Sequence, residues 1–382
     1  MSQLSDLKVD IAIAGGGPVG SALALALAPQ GYTVTLLNPP APGAPDLRPL
    51  ALSYGSRLIL ERLGVWSHLA PDVTAIQTIH VSQRGGFGRV NMRAAEIGVP
   101  ELGYVVPYQT LLSAITLTLA DNNANILAAQ MTHWKAGEVA QVDYSFADQA
   151  QSLSARMLVL ADGGSNELEG HVKTYKYQQV AITARVVSRY PHQARAFERF
   201  TVDGPLALLP FGTGWALVWT TSEGRAAELS AVSDAEFLAA LRIEFGSRVG
   251  EFTAVSDRTA YPLRRREFDA APTPVLRIGN AAQTLHPVAG QGFNLGLRDA
   301  WFLAQHGATS TLRLGSSAWI QAYLEQRQAD RRASLDMTHS LVQWFGIDQF
   351  AVRQARGLGL QILGMLPPLK RHWMRKLSFG QR

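Results

Sequence analysis

The chain has 382 residues and no cysteine, with 47% hydrophobic and 17% charged residues and a formal net charge of +5. That balance allows a sizeable core in two or three lobes, excludes disulfides and cysteine nucleophiles, and fits a reducing cytosol. The basic residues are scattered without a recognition motif, so we expect no nucleic-acid partner and read the charge as a preference for anionic membrane.

The first apolar stretch, 11–28, imitates an export signal. Asp6 and Asp10 precede it with only Lys8 as a cation, and glycine and proline interrupt it, so it reads as core. Residues 10–14 read as a buried strand that runs into Gly15-Gly16-Gly17-Pro18-Val19-Gly20, with a helix over 21–28. In that context the glycines meet the dinucleotide fingerprint. Gly15 makes the tight turn, Gly17 lets a pyrophosphate approach the backbone, and Gly20 lets the helix pack on its strand. The next strand, 32–37, should end in an acid that holds an adenosine ribose, and it ends in Asn38.

A proline-rich connector, 39–45, leads to Arg48 and a helical run ending Leu63-Gly64-Val65-Trp66. A further apolar strand, 156–160, ends in Ala161-Asp162-Gly163-Gly164-Ser165, an Asp-Gly turn. No second complete fingerprint follows, since Gly212-Thr-Gly214 and Gly357-Leu-Gly359 lack a third glycine. A separate nicotinamide lobe is therefore not expected, and any NAD(P)H reductant must visit transiently.

Between 175 and 261 the pattern turns β-rich, with runs at 180–187, 197–202, 205–211 and 215–221; the first and last read as antiparallel strands of a lid. Phe211, Trp215 and Trp219 read either as sheet core or as the lining of a substrate pocket. Residues 275–278 form a strand, and a loop with His286, Pro287, Gly290 and Gly292 leads to a helix from about Phe293. Free N–H groups there favour an electron-rich ligand atom, and the glycines let a flat ligand lie on the backbone. His286 reads as structural or catalytic, and the nine histidines show no metal spacing, so no metal is expected. A helix over 319–332 follows. The apolar run 357–369, with Lys370, Arg371, Trp373, Arg375, Lys376 and Arg382 after it, reads either as a dock on an anionic leaflet or as a packed helix with a solvated basic end.

The segment from Gly279-Asn280-Ala281-Ala282-Gln283 to Asn294 and Asp299 resembles the second flavin-binding motif of the FAD-dependent aromatic-ring hydroxylases, most of all their ubiquinone-biosynthesis branch. Asn280 and Gln283, in place of the more usual Asp and His, look like its methoxyphenol-hydroxylase subgroup. Ala196-Phe197-Glu198-Arg199-Phe200, residues 204–210, and Tyr323 with Arg327 extend the resemblance over nearly the whole chain, and Trp215-Ala-Leu-Val-Trp219 does not supply a flavin-halogenase motif.

The resemblance implies an α/β fold: a Rossmann-like FAD-binding domain from 1–70, 100–174 and 262–335, an inserted antiparallel sheet as substrate domain from 71–99 and 175–261, and a helical tail, 336–382. FAD would be held by Gly15, Gly17, Gly20, Asn38, Arg48, Asp162, Gly163, Asn280, Gly290, Gln291, Gly292, Phe293 and Asn294. His286 and Pro287 would lie at the chemistry, and Phe211, Trp215 and Trp219 at the substrate. The implied activity is hydroxylation of a prenylated phenol with NAD(P)H and O2, by a cytoplasmic protein at the inner face of the membrane beside other ubiquinone-biosynthesis proteins.

Two departures keep a non-catalytic lipid carrier or scaffold open. Glu167 and Glu169 stand where the family has Arg, and Asn38 where it has Glu. Exchanging a charge-assisted hydrogen bond for a neutral one loses on the order of 1 kcal/mol. Asn38→Glu is therefore expected to tighten FAD binding several-fold in a titration, and an unchanged Kd would contradict the ribose role.

Overall fold

The computed structural model describes residues 7–40, 48–122, 124–164 and 172–381, which form an α/β fold built on three sheets. The strand Leu7–Ala14 is apolar on both sides through its second half and lies in the middle of the first sheet. It runs parallel to Val34–Leu37 on one edge and to Gln149–Leu160 on the other. Asn125–Leu127 extends the first edge. The far edge of Gln149–Leu160 is shared: its start pairs with the antiparallel meander Ala140–Phe146 and Ala129–Lys135, its end with Val275–Arg277. Helices Pro18–Leu27, Tyr108–Asp121 and Gln291–Thr309 pack on one face through Leu23, Ile115 and Leu297, and Trp134 and Tyr144 help close the other.

The second sheet has nine strands. In spatial order Gln283–Thr284, Thr259–Phe268, Val172–Ser188, Gly214–Ser222, Pro205–Phe211, Arg195–Phe200, Thr78–Gln83 and Arg89–Arg93 follow one another, with Phe252–Val255 beside Val172–Ser188. All pairs are antiparallel except Arg195–Phe200 with Thr78–Gln83. One face is covered by Glu223–Ala231 and Asp234–Phe245, whose Leu229, Phe237, Leu241 and Phe245 pack on Trp215, Leu217 and Trp219. A third sheet of Pro49–Ser53, Gly103–Pro107 and Thr74–Ile76 stands between the two.

Three of the boundaries that differ from the sequence reading bear on the site and the tail. The helix expected from Phe293 begins at Gln291, because Gly290, at φ 59° and ψ 28°, turns the chain into it. The helix expected over 319–332 runs from Ser317 to Gly346, with Ser316 Oγ accepting from Trp319 N at 3.3 Å as its cap. The apolar run 357–369 is divided between Phe350–Met365 and Pro367–Phe379, since Pro367 cannot continue the first helix. That last helix is packed. Met374 is 1% exposed in a cluster with Val90 and Met92, and Phe379 meets Tyr54 edge to face at 6.0 Å.

Beneath the 279–292 loop lies a buried ion network. Arg327 donates to Asp299 Oδ1 through Nε at 3.1 Å and Nη2 at 2.9 Å, and to Asp330 Oδ2 at 2.8 Å. Arg298 Nε donates to the same Asp330 oxygen at 2.8 Å. Asp299 Oδ2 in turn accepts from Gly279 N at 3.3 Å and Gln283 Nε2 at 3.1 Å, so the network holds the start of the loop. Tyr323 donates to the Asp299 carbonyl at 3.1 Å, which accounts for the Tyr323 and Arg327 pair noted in the sequence.

Candidate active site

Ala14, Leu37, Leu160 and Arg277 occupy one row across the parallel strands of the first sheet. The ladder continues one bond past that row, with Gly15 N to Leu37 O at 3.0 Å, Ala161 N to Ala14 O at 2.8 Å and Ile278 N to Leu160 O at 3.0 Å. Four loops therefore leave the carboxyl edge of the sheet together, the place where open α/β sheets bind ligands. They open onto a cavity of about 1070 Å³.

The glycine turn forms its first wall. Gly15 has φ +113°, and a Cβ there would lie 2.6 Å from the Ala161 carbonyl. A Cβ on Gly20 would meet Gly15 O at 2.0 Å, so Gly20 serves helix-on-strand packing and does not line the cavity. Gly17 lines it and caps Pro18–Leu27 without a side chain, which leaves first-turn N–H groups facing the space. Asn38 lies directly on the turn, its Cγ 2.1 Å from where a Cβ of Gly16 would stand.

Arg48, Asp162 and Gly163 line the same space. The Arg48 guanidinium sits 5.2 Å from the ring centre of Tyr261 and 5.9 Å from that of Tyr108, and Asp162 Oδ1 accepts from Gly164 N at 3.0 Å. Ser165, Glu167 and Glu169 lie outside the described residues.

The opposite wall is the 279–294 loop, from which Asn280, Pro287, Gly290, Gln291, Gly292, Phe293 and Asn294 all reach the cavity. Ala289 and Gly290 are both left-handed, at φ 58° and 59°. For alanine that conformation costs about 1 kcal/mol, stored where the backbone faces the cavity. Asn294 is engaged by the protein. Its Nδ2 donates to Ala51 O at 2.9 Å and Gly290 O at 2.7 Å, and its Oδ1 accepts from Ser53 N at 2.8 Å and Ser56 Oγ at 2.6 Å. It fixes the loop to the third sheet. Beyond its chain neighbours and its own helix backbone, no protein atom lies within 4 Å of a Cβ built on Gly292, which leaves space for a ligand beside it.

His286 does not line the cavity. It is 1% exposed, its Nδ1 accepts from Val288 N at 3.2 Å, and its ring stands edge to face on Tyr177 at 5.0 Å. Burial lowers its pKa to about 3. A neutral imidazole with both sides against protein shapes the turn and is a poor base at neutral pH, a correction to the catalytic reading. Trp215 and Trp219 are also elsewhere. Strand alternation sends Val218 and Thr220 to the cavity and the two tryptophans to the far face, under Phe237 and Phe245. Phe211, half-buried with the Arg185 guanidinium 4.5 Å from its ring centre, lies outside the lining as well.

Sequence reasoning missed the ceiling. Ala181, Thr183, Ala196, Glu198, Ala207 and Leu209 come down from alternate positions of the second sheet, and Leu341, Leu360, Trp373 and Met374 close the far end. Glu198 stands out among them. It pairs in register with Ala207 and Val81, and burial pushes its carboxyl up to about 7. Period-two reading of Arg195–Phe200 was enough to place it with Ala196 and Phe200 on one face.

A family model described as FAD binding domain matches residues 8–338. The chain belongs to this family. It is similar to ubiquinone hydroxylase UbiL of Rhodospirillum rubrum, 33% identical over 387 residues that cover 97% of this chain and 90% of that protein. It is likewise similar to 3-demethoxyubiquinol 3-hydroxylase of Escherichia coli, at 30% identity over 411 residues covering 97% and 99%. The fold matches p-nitrophenol 4-monooxygenase PnpA from Pseudomonas putida with a TM-score of 0.78 at 16% identity, over 98% of this chain and all of the other. The unsubstituted Gly292 face, the uncapped helix end behind Gly17 and the glycine turn at 15 fit FAD.

Proposed function

We propose that the protein hydroxylates a prenylated phenol of ubiquinone biosynthesis, using NAD(P)H and O2. The observation that carries this reading is one continuous cavity that begins at the FAD-family loops and ends in apolar side chains of the C-terminal helices, with a single carboxylate in its ceiling. One relative named ubiquinone hydroxylase and one named 3-demethoxyubiquinol 3-hydroxylase align with the chain over nearly its full length. When bound, FAD would pass two electrons from NAD(P)H to O2, of which one oxygen atom goes to the ring and the other leaves as water.

The chain supplies the rest. First-turn N–H groups of Gln291–Thr309 favour negative charge at the cofactor's edge. Val81, Ala207, Leu209 and Leu263 keep water from the reacting ring, and Leu360, Leu363 and Leu377 receive a prenyl tail. Glu198 accepts the phenol proton on its carboxylate, which raises electron density in the ring.

The same reading puts the protein in peripheral contact with an anionic membrane. Among the described residues no helix is long and apolar enough to cross one. Purified protein loaded with FAD is expected to oxidise NAD(P)H faster with a prenylphenol present and to yield the hydroxylated product. Gly292→Ala, whose Cβ would meet no protein atom beyond its chain neighbours and its own helix backbone, should fold normally and lose FAD absorbance and turnover together. A wild type that stays colourless after soaking with FAD sinks the proposal.

A further inference from the structure

On the outer face of the second sheet, opposite the cavity, three neighbouring strands place their side chains in rows. Arg93 pairs with Thr78 and Thr78 with Arg195; Asn91 pairs with His80 and His80 with Phe197; Arg89 pairs with Ser82 and Ser82 with Arg199. Four arginines thus stand at the corners of a patch centred on His80. Arg248, from the loop after Asp234–Phe245, closes one side. Arg89, Arg93, Arg195 and Arg248 line a polar hollow of about 230 Å³ with no acid among its lining residues.

Like charges gathered on one face of a sheet repel, so such a patch costs stability unless an anion occupies it. Neighbouring acids are already engaged, Glu244 with Arg84 and Glu96 with Lys370. The side chains of Arg89, Arg195 and Arg248 make no hydrogen bond or ion pair among the described residues. His80 is 4% exposed; its Nδ1 lies 2.7 Å from Asn91 Oδ1, and its buried Nε2 has no partner among the described residues. Burial first, and then Arg248, Arg89 and Arg195 against the pull of Asn91, hold its pKa below the usual range.

The patch adjoins an apolar row. Arg89, Asn91 and Arg93 also flank a second hollow whose other wall is Gln361, Gly364, Met365 and Lys370. Leu358, Ile362 and Met365, on one face of Phe350–Met365, and Leu369, on the helix that follows, are between 41% and 70% exposed along that flank. Guanidinium groups bind phosphate bidentately, and cations beside an exposed apolar helix face are how a protein seats itself on an anionic leaflet.

We propose that the arginine patch around His80 binds the phosphate of an anionic phospholipid headgroup while the adjoining row from Leu358 to Leu369 enters the leaflet. This rests on the membrane contact proposed above and is independent of the hydroxylation itself. The FAD-loaded full chain is to be sedimented with phosphatidylcholine vesicles with and without phosphatidylglycerol. Wild type should prefer the anionic vesicles. A surface cation contributes roughly fivefold, so Arg89→Ala/Arg195→Ala/Arg248→Ala should lose on the order of 100-fold on them, with FAD content unchanged and thermal unfolding no earlier than in wild type. Met365→Ser/Leu369→Ser should weaken binding to both kinds of vesicle. Arg89→Lys, which keeps the charge, guards against a triple variant that does not fold, and should lose less than Arg89→Ala. If the triple variant binds anionic vesicles as wild type does, the proposal fails. If inorganic pyrophosphate binding is lost in it while vesicle binding is not, the site belongs to a soluble phosphate and the lipid assignment is overturned. A failed hydroxylation assay alters none of these readings.

Discussion

Replacing Arg327 by leucine is expected to cost the fold about 3–5 kcal/mol, the usual penalty for leaving a buried charge without its partner. Arg327 alone bridges Asp299 and Asp330, and all three side chains are almost fully buried. Burial works against the Arg327 charge, but Asp299, Tyr323 and Asp330 outweigh it and hold its pKa above the usual range. Without it, Asp299 faces the interior with only amide donors from Gly279 and Gln283. Thermal unfolding of FAD-free protein checks the stability loss. Because Asp299 also anchors the start of the 279–292 loop, FAD retention should fall with it. For Asp330, burial raises the carboxyl pKa, but Arg298 and Arg327 more than offset it and leave it lowered. Its share of stability is therefore present above the ordinary carboxylate range and lost as pH falls through the lowered value. An Arg327→Leu protein as stable as wild type at neutral pH would mean that the network is dispensable.

Glu198→Gln is expected to lower kcat/KM for the phenol by about 10²–10⁴, the range general-base catalysis spans, while FAD binding stays as it is. With the carboxyl pushed up to about 7, wild-type turnover should rise as pH passes through that value, since only the ionised form takes a proton. The glutamine variant should lack this limb. A stability readout carries the opposite sign. A carboxyl whose folded pKa is raised favours the fold at low pH and loses that contribution as pH rises through about 7, so above it Glu198→Gln should unfold later than wild type. An unchanged pH profile with unchanged kcat/KM would remove Glu198 from the reaction and leave the cavity's ceiling without a base.

What the sequence disclosed follows from the range of the interactions involved. The turns at Gly15 and Gly290 were legible because a required backbone conformation is written in one or two residues. The strand-turn-helix order around them is equally local. Trp215 and Trp219 were misplaced because their strand is buried on both faces. Alternation then tells which residues share a face but not which face meets the cavity. His286 was legible as a loop histidine, whereas its lowered pKa depends on burial against Tyr177, 109 positions earlier in the chain. The arginine patch was invisible for a similar reason: Arg93 and Arg195 share a row only through the strand Thr78–Gln83 between them.

The far wall of the cavity has a consequence for biogenesis. Leu360, Leu363, Trp373, Met374, Leu377 and Ser378 are translated after every other part of the lining. Domains condense as they emerge from the ribosome, so the nucleotide end of the crevice takes shape while its opposite side still stands open. The prosthetic group therefore has a wider entrance during synthesis than in the finished molecule. Overproduction in a riboflavin-starved host should accordingly yield empty protein that reloads slowly.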